Sequence, residues 1–265
     1  MRAVLDPAFS QFLLAVGEGS KPVDADNQIC LPSHMVIPFH NMKESFDRLV
    51  AYTFPDLNLY SSDPYEMIST CILTPKNTSV EDINDVMIQR FLGQLFTYTS
   101  SVQTVDQRFQ ADYEDFLNSQ NPKGLPPHKL MLKESYPLIL LRNLNPAEGL
   151  CNGTRLICRQ LKQHTICVEI AFGQYKEKQI FIPRIPLQTP DNEKNGIPFI
   201  RTQFPVCLCF AMTINKAQGQ TLDYVGVYLK EPVFSHGQLY IALSRAKTAD
   251  VVKVLILPGN FAEVN

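Results

Sequence analysis

Two polar segments in the last third of the chain carry side chains that could bind phosphate. The first, residues 213–221, follows a buried apolar run and holds hydroxyls, amides, one ammonium and a flexible glycine. Open α/β sheets bind ligands beyond the ends of such strands, and these groups can donate to phosphate oxygens without reading bases. A solvated loop with a glycine at a helix end is the alternative interpretation.

The second segment, residues 236–247, is apolar at its centre and ends in a cationic cluster. Arg245 in this cluster would emerge at the edge of a sheet. There its guanidinium could bind a phosphate bidentately and stabilise the charge that develops during phosphoryl transfer. An arginine that binds the last carbonyls of its own helix is the alternative.

Apolar patterns predict the elements that must position these segments. Residues 71–73 read as a short buried strand, followed by a helix over residues 80–92 with Ser79 as its N-cap. Further strands are predicted at residues 205–212, 224–229 and 251–257, with a helical turn at 238–245. This β-α-β rhythm predicts an α/β fold with a mostly parallel sheet flanked by helices.

Short β-like runs interrupt this rhythm in the middle of the chain. They lie at residues 138–141, 154–158, 165–170 and 179–182 and are separated by turns such as Asn152-Gly153. They predict a small β module inserted into the α/β domain. Near the start of the chain, residues 5–16 have the apolar spacing of an amphipathic helix, and its apolar face needs a partner.

The composition and the charge distribution limit the classes of protein to which this chain can belong. The chain has 265 residues, of which 45% are hydrophobic and 19% charged, values that fit a compact globular protein and neither a disordered nor a coiled-coil chain. Residues 1–116 hold 7 basic and 16 acidic side chains, whereas residues 117–265 hold 17 and 10. The basic C-terminal part favours a negatively charged partner.

The cysteine spacing and the hydropathy of the sequence predict whether the chain has a metal site, disulfides or a membrane span. The seven cysteines show no CxxC pair and no zinc spacing, so they predict reduced core residues in an intracellular protein and no metal site. No apolar stretch approaches the length that spans a bilayer, and the N-terminus lacks the pattern of a signal peptide. No membrane partner is expected.

Taken together, the polar segments resemble the motifs of a helicase family. The strings TINKAQGQTLDYVGVYL and HGQLYIALSRAK resemble motifs V and VI of superfamily-one helicases of the 5′-to-3′ branch, in the PIF-one-like and Helitron group. CILTPKNTSVEDIN resembles motif IV, and LRNLNPAEGLCNGTRL resembles the segment before the family's small β-barrel insertion. Four motifs in family order make the match specific.

The resemblance implies a fold and a domain organisation. The chain resembles the second RecA-like domain of such a helicase, a mostly parallel sheet flanked by helices, with an inserted small β-barrel like the family's domain 2B. Residues 46–145 and 203–265 would form the RecA-like domain, and residues 146–202 the barrel. Residues 1–45 would be the remnant of a preceding RecA-like domain and its linker.

The same resemblance assigns a nucleotide site. Arg245 resembles the catalytic arginine that reaches the γ-phosphate of ATP, and Gln218 and Gly219 resemble positions near that phosphate. The family uses ATP and Mg²⁺, but this sequence has neither a GxxxxGK[ST] loop nor an Asp-Glu pair after a buried strand. Tight binding of these cofactors is therefore expected only with a first RecA-like domain, supplied in cis or in trans.

Single-stranded DNA is the partner that the resemblance implies. Thr213, Asn215 and Lys216 match positions that face the DNA backbone, and many relatives have histidine where this chain has Asn215. Thr74 and Asn77 precede a predicted helix N-terminus, whose free N–H groups and positive dipole end suit a DNA phosphate.

The implied function is that of the C-terminal half of an ATP-dependent 5′-to-3′ DNA helicase that couples ATP hydrolysis to unwinding. The family implies a nuclear location and work in DNA repair and recombination. Two alternatives stay open. One is a truncated, inactive helicase relic that at most binds single-stranded DNA, and the other is an inert structural domain.

Overall fold

The computed structural model describes residues 3, 5–25, 28–57, 60, 63–104, 110–122, 124–189, 197–233 and 236–258. The chain forms two compact units. Unit 1 comprises Met1–Leu59, Ser69–Arg90 and Phe210–Asn265, and unit 2 comprises Tyr60–Ile68 and Phe91–Cys209. Unit 2 contains the module predicted at residues 146–202 but is larger than it. The boundary of a RecA-like domain stays a prediction.

The helices and strands of both units are numbered together in chain order. The helices are α1 (Pro7–Gly17), α2 (Met42–Thr53), α3 (Tyr65–Ile68), α4 (Asn77–Arg90), α5 (Gln110–Ser119) and α6 (His236–Leu243). The first strands are β1 (Thr70–Thr74), β2 (Phe96–Thr99), β3 (Ser101–Thr104), β4 (Lys129–Leu132), β5 (Pro137–Leu140), β6 (Arg155–Leu161) and β7 (Thr165–Ile170). The remaining strands are β8 (Gln179–Pro183), β9 (Ile185–Gln188), β10 (Phe199–Gln203), β11 (Val206–Leu208), β12 (Ala211–Thr213), β13 (Tyr224–Leu229) and β14 (Val252–Ile256).

Unit 1 is built on a parallel sheet of four strands in the order β12-β1-β13-β14. All five residues of β1 are buried. Such burial on both faces is what a parallel sheet covered by helices imposes, and it explains the continuous apolar run Cys71-Ile72-Leu73. The predicted α/β class with a parallel sheet is confirmed.

Helix α1 has the partner that its apolar face requires. Phe9, Leu13 and Val16 are buried, as the spacing predicts, and α1 packs against α6. A Cβ atom on Gly17 would lie 3.1 Å from the ring of Tyr240, so glycine allows the two helices to approach closely here. Leu5, which was placed on the same face, is instead exposed.

Unit 2 consists mainly of antiparallel sheets. Five strands are ordered β11-β5-β6-β7-β8, three are ordered β3-β10-β9, and β2 pairs with β4. The strands predicted in this part of the chain are confirmed as β5, β6, β7 and β8. A closed barrel stays a prediction.

Two predicted boundaries were wrong. The apolar run at residues 205–212 is not one strand: β11 pairs with β5 in unit 2, whereas β12 pairs with β1 in unit 1. Helix α4 begins at Asn77, because the backbone N–H of Val80 already donates to the carbonyl of Lys76 at 3.3 Å. Ser79 is therefore buried inside the helix and is not its N-cap.

All seven cysteines are free thiols, and Cys71, Cys158, Cys167 and Cys209 are buried. Cys30 is exposed, so the prediction of a core position is wrong for that residue. None of the helices in the described part of the chain combines the length and the apolar character that crossing a bilayer requires.

Candidate nucleic-acid and nucleotide site

The carboxyl ends of β1 and β12 bring the two predicted DNA-binding segments together within unit 1. Thr74 pairs with Thr213 in the sheet register, and the backbone N–H of Ile214 donates to the carbonyl of Thr74 at 3.0 Å. The strands are parallel, so both chains leave the sheet at the same edge. Segments that are about 140 residues apart in sequence thus become neighbours.

Thr74 lies inside this edge and not on its surface. Its side chain is completely buried, and among the described residues its Oγ1 has no hydrogen-bond partner. A buried hydroxyl without a partner is unusual in proteins. A direct contact of this side chain with a phosphate would require the edge to open, and that role stays a prediction.

Asn77 is exposed and is the first residue of the 14-residue helix α4. The N-terminal turn of a helix presents backbone N–H groups and the positive end of the dipole, which suits an anion. Lys76, which the sequence analysis did not single out, is also exposed at this edge and forms an ion pair with Glu231. Its place between Thr74 and Asn77, in the string that resembles motif IV, was the available signal.

Asn84 on α4 is a second residue that the sequence analysis missed. Its Oδ1 accepts a hydrogen bond from the backbone N–H of Ala211 at 3.0 Å, and its Nδ2 donates to the carbonyl of Ala211 at 3.4 Å. Because β12 is an edge strand, this amide satisfies backbone groups that no further strand pairs. Asn84 thereby ties the start of β12 to the helix that carries Asn77.

The loop after β12 presents the predicted motif V residues in a chain of tight turns. The backbone N–H of Lys216 donates to the carbonyl of Thr213 at 3.0 Å, and that of Gln218 donates to the carbonyl of Asn215 at 3.2 Å. Asn215 and Gln218 are exposed, and Thr213 and Lys216 are half-buried. Polar groups are therefore available to a ligand along residues 213–218.

Gly219 closes this series of turns in a left-handed conformation. Its φ is +90°, a backbone angle that residues other than glycine rarely adopt. A Cβ atom built there would meet nothing within 4 Å. Gly219 is also exposed. Its backbone could therefore be approached closely by a bulky anion.

Arg245 follows α6 and is buried, with 6% of its surface exposed. Its Nε donates to the carbonyl of Ile241 at 2.8 Å, and its Nη2 donates to the Oγ of Ser244 at 2.8 Å. The bond to Ile241 is the one expected of an arginine that satisfies its own helix. The alternative interpretation, an arginine that binds the last carbonyls of its own helix, therefore accounts for one of the contacts of Arg245.

The rest of the Arg245 guanidinium reaches the loop at residues 213–220, which was predicted as motif V. Nη1 donates to the carbonyl of Gln220 at 3.1 Å and to that of Ala217 at 3.4 Å. These residues flank Gln218 and Gly219, so the structure brings all three predicted nucleotide-site residues together. A predicted role for each at a phosphate is compatible with this placement, and it stays a prediction.

An exposed ion pair lies close to these segments in the sequence. Lys247 donates to Asp223 at 2.7 Å, and both side chains are about half exposed. Burial would raise the pKa of Asp223, but the hydrogen bonds from Lys247 and Ser69 and the charge of Lys247 outweigh it, so the pKa is lowered. Within the described residues, no group of three His, Cys, Asp or Glu side chains could hold a metal ion.

Comparison with known proteins finds similar sequences among DNA helicases. Residues 115–161 match the family model described as DNA helicase Pif1, 2B domain. The chain is 42% identical over 78 residues to the ATP-dependent DNA helicase RRM3 of Saccharomyces cerevisiae, and 34% identical over 127 residues to the ATP-dependent DNA helicase PIF1 of Homo sapiens. The matched parts of the chain are thus similar in sequence to Pif1-type DNA helicases.

The same matches show how much of these relatives the chain covers. The aligned part amounts to 29% of this chain and 10% of the yeast relative, and to 48% of this chain and 19% of the human one. With the PIF1 helicase of Xenopus laevis, 26% identity extends over 71% of this chain and 28% of the relative. The chain thus spans less than a third of each of these curated Pif1-type relatives.

Solved structures of Pif1 helicases share the fold. The Pif1 helicase of Candida albicans matches 97% of this chain and 55% of its own with a TM-score of 0.64 and 20% identity. A Bacteroides Pif1 helicase solved with ADP-AlF3 and single-stranded DNA matches 97% of this chain and 52% of its own, with a TM-score of 0.58 and 21% identity. At this level of identity the likeness supports the fold, and the resemblance of the sequence to Pif1-type helicases is confirmed by the curated relatives.

Proposed function

We propose that this chain is the part of an ATP-dependent DNA helicase that carries motifs IV, V and VI. Unit 1 would act as its second RecA-like domain, with unit 2 as the inserted module, and the complete helicase would move 5′ to 3′ on single-stranded DNA. The observation that carries the proposal is the convergence of three distant segments. Thr74 and Thr213 are paired across β1 and β12, and Arg245 binds the loop that follows Thr213.

On the DNA side, this edge would follow the phosphate backbone. Lys216 supplies a positive charge, Asn215 and Thr213 supply neutral hydrogen-bonding groups, and Asn77 adds the N-terminus of α4. These groups contact phosphates and carry no sequence information, as a helicase that works on many sequences requires. Asn84 would keep the two segments at a constant spacing.

On the nucleotide side, the residues present fit one face of an ATP site. Arg245 is buried and bonded to carbonyls of the loop, so its guanidinium would donate to a γ-phosphate only after releasing them. The exposed backbone at Gly219 would leave room for that phosphate. Bound ATP would supply the phosphoryl bond whose cleavage drives unwinding. The sequence has no GxxxxGK[ST] loop, so we infer that another RecA-like domain, in cis or in trans, holds Mg²⁺ and the remaining phosphates.

Salt-dependent binding of single-stranded DNA tests the DNA side. Fluorescence anisotropy of a labelled oligothymidine should show affinity that falls steeply as salt rises, because bound cations are released from the phosphates. Lys216→Ala should weaken binding on all sequences and reduce the slope of log K against log salt by about 1. Lys247→Ala removes the same charge from an exposed ion pair and serves as the matched control.

The outcomes separate the alternatives. Absence of binding at low salt would overturn the DNA role of this chain, and equal losses in the two lysine variants would overturn the specific role of residues 213–218. ATP turnover should be near background for the chain alone. Turnover that Arg245→Ala abolishes would refute the inference that another domain is needed.

The cellular setting of the proposal follows from the relatives. We propose that the complete helicase works in the nucleus in DNA repair and recombination, since curated relatives include yeast and human DNA helicases. Fractionation of cells that express the tagged chain tests this. A signal confined to the cytoplasm would contradict the nuclear location.

A further inference from the structure

An ion pair lies at the same edge of the sheet as the proposed DNA site. It joins the ammonium of Lys76 to the carboxylate of Glu231. We propose that Glu231 limits the affinity of unit 1 for DNA, because a backbone phosphate binds Lys76 only by displacing this carboxylate. The inference rests on the proposed function and names a residue that regulates the same site.

The sheet topology explains why the two side chains meet. Strands β1 and β13 are parallel neighbours, so their carboxyl ends lie at one edge of the sheet. Lys76 is two residues beyond the end of β1, and Glu231 is two residues beyond the end of β13. The same end of β1 pairs Thr74 with Thr213. The ion pair therefore belongs to the edge that carries the candidate DNA residues.

The position of Lys76 on this edge is fixed by its backbone. Its carbonyl accepts a hydrogen bond from the N–H of Val80 at 3.3 Å, directly before α4 begins. Strand β1 lies between β12 and β13 in the sheet, so Lys76 follows a strand that separates the one before Lys216 from the one before Glu231. A phosphate backbone that extends from Lys216 toward β13 reaches the Lys76 ammonium next, and a negative charge beyond it.

The exposure of the pair makes such an exchange feasible. The side chains of Lys76 and Glu231 are 46% and 38% exposed, and ion pairs at this level of exposure are weak. A phosphate offers a charged acceptor to the same ammonium, so it can replace the carboxylate. The displaced carboxylate stays near the phosphate and repels it. Removal of the carboxylate should therefore strengthen binding, and salt should screen the gain.

DNA binding by the full chain of the Glu231→Gln variant tests the inference. Fluorescence anisotropy with a labelled oligothymidine at low salt should show affinity about threefold higher than that of the wild type, with a gain that shrinks as salt rises. Asp223→Asn is the matched control, because it removes the same charge from an exposed ion pair at the opposite end of β13. Its affinity should stay within about 1.5-fold of the wild type.

A double-mutant cycle separates competition for Lys76 from repulsion of DNA by a negative charge. Lys76→Ala alone should weaken binding. In that background Glu231→Gln should raise affinity by less than about 1.5-fold, because no ammonium is left to be released. An equal gain with and without Lys76 would overturn the competition. Wild-type DNA binding that Glu231→Gln leaves unchanged would overturn the inference and leave the proposed function intact.

An NMR titration with inorganic phosphate decides the inference without DNA. Amide signals of residues 76–79 should shift, and Glu231→Gln should reach half-saturation at about threefold lower phosphate concentration than the wild type. Equal half-saturation in the two chains, or no shift in either, would overturn the competition. If neither chain binds oligothymidine, the proposed function is refuted, and the phosphate titration still shows whether Glu231 competes for Lys76.

Discussion

Each of the two units buries an arginine against backbone carbonyls, yet the surroundings of the two differ. Arg201 in unit 2 is completely buried and donates to the carbonyls of Leu117, Gln120 and Pro126 at 2.9 to 3.0 Å. Arg245 in unit 1 is nearly as buried, but the loop that it binds includes exposed residues. The same contact between a guanidinium and backbone carbonyls is thus buried in unit 2 and lies beside an exposed loop in unit 1.

This difference distinguishes an arginine that is completely buried from one that binds a partly exposed loop. Burial lowers the pKa of Arg201 to about 10, and among the described residues its Nε has no hydrogen-bond partner. Of the three carbonyls that Arg201 binds, one lies in the last turn of α5 and one belongs to the residue just after that helix. The side chain therefore joins α5 to the segment near Pro126. A buried arginine is therefore not by itself evidence of a ligand site, and the exposed polar loop is what distinguishes Arg245.

The largest effect is expected from Arg201→Met, which keeps the volume but removes the donors. Two buried carbonyls and one half-buried carbonyl lose their partner, at a cost of about 1 to 3 kcal/mol each, so the free energy of unfolding should fall by about 3 kcal/mol or more. Urea unfolding followed by circular dichroism measures it. Arg48→Met, which breaks an exposed ion pair with Glu44, should cost less than about 0.5 kcal/mol. Similar losses in the two variants would contradict the structural role of Arg201.

The second-largest effect is expected from a change in the packing of unit 1. A Cβ atom on Gly226, in the middle of β13, would lie 2.5 Å from Oγ1 of Thr53, which is fixed by its bond to the carbonyl of Leu49. Gly226→Ala should therefore destabilise the protein by about 2 kcal/mol through overpacking.

Gly173 in unit 2 is the matched control for Gly226. It has open space around it and a φ of +87°, so Gly173→Ala should cost about 1 kcal/mol from backbone strain alone. Thermal unfolding measures both. A larger loss at Gly173 than at Gly226 would show that β13 and α2 are not packed as closely as described.

The smallest effect concerns a carboxylate in each unit. Glu169 in unit 2 is buried, and its pKa is lowered chiefly by the two hydrogen bonds from Arg159, at 2.9 and 3.0 Å, against the opposing effect of burial. A lowered pKa means that the ionised form stabilises the fold above the ordinary value of 4.5, and that this stability is lost as pH falls through the folded pKa. Glu169→Gln should therefore cost about 1 to 2 kcal/mol at pH 7.

Urea unfolding at pH 7, 5 and 3 checks this prediction. The difference between wild type and Glu169→Gln should shrink toward pH 3. Asp223→Asn in unit 1 breaks an ion pair whose side chains are half exposed, so it should change stability by less than about 0.5 kcal/mol at each pH. A constant difference for Glu169 across the series would show that ionisation is not what stabilises it.

Local patterns were sufficient for most elements and for the motifs. The apolar run of β13, the stripe of α1 and the short β-like runs of β7 and β8 were predicted because each pattern reflects burial of one element. Residues 97–137 carry no such pattern, although β3, α5, β4 and most of β2 lie there. Their strands are only four residues long, so partners in the sheets determine them more than their own sequence.

The sequence by itself identified most residues of the candidate site, because each predicted motif is a continuous string with its chemistry in its side chains, but it did not identify Lys76 or Asn84. Only the tertiary structure decided that β12 pairs with β1 while β11 pairs with β5, that Thr74 is buried, and that Arg245 binds the carbonyls of Ala217 and Gln220. The physical reason is that backbone hydrogen bonds and burial are settled between segments far apart in the chain. A carbonyl offers the same acceptor in every residue, so nothing in its sequence identifies the donor that will reach it.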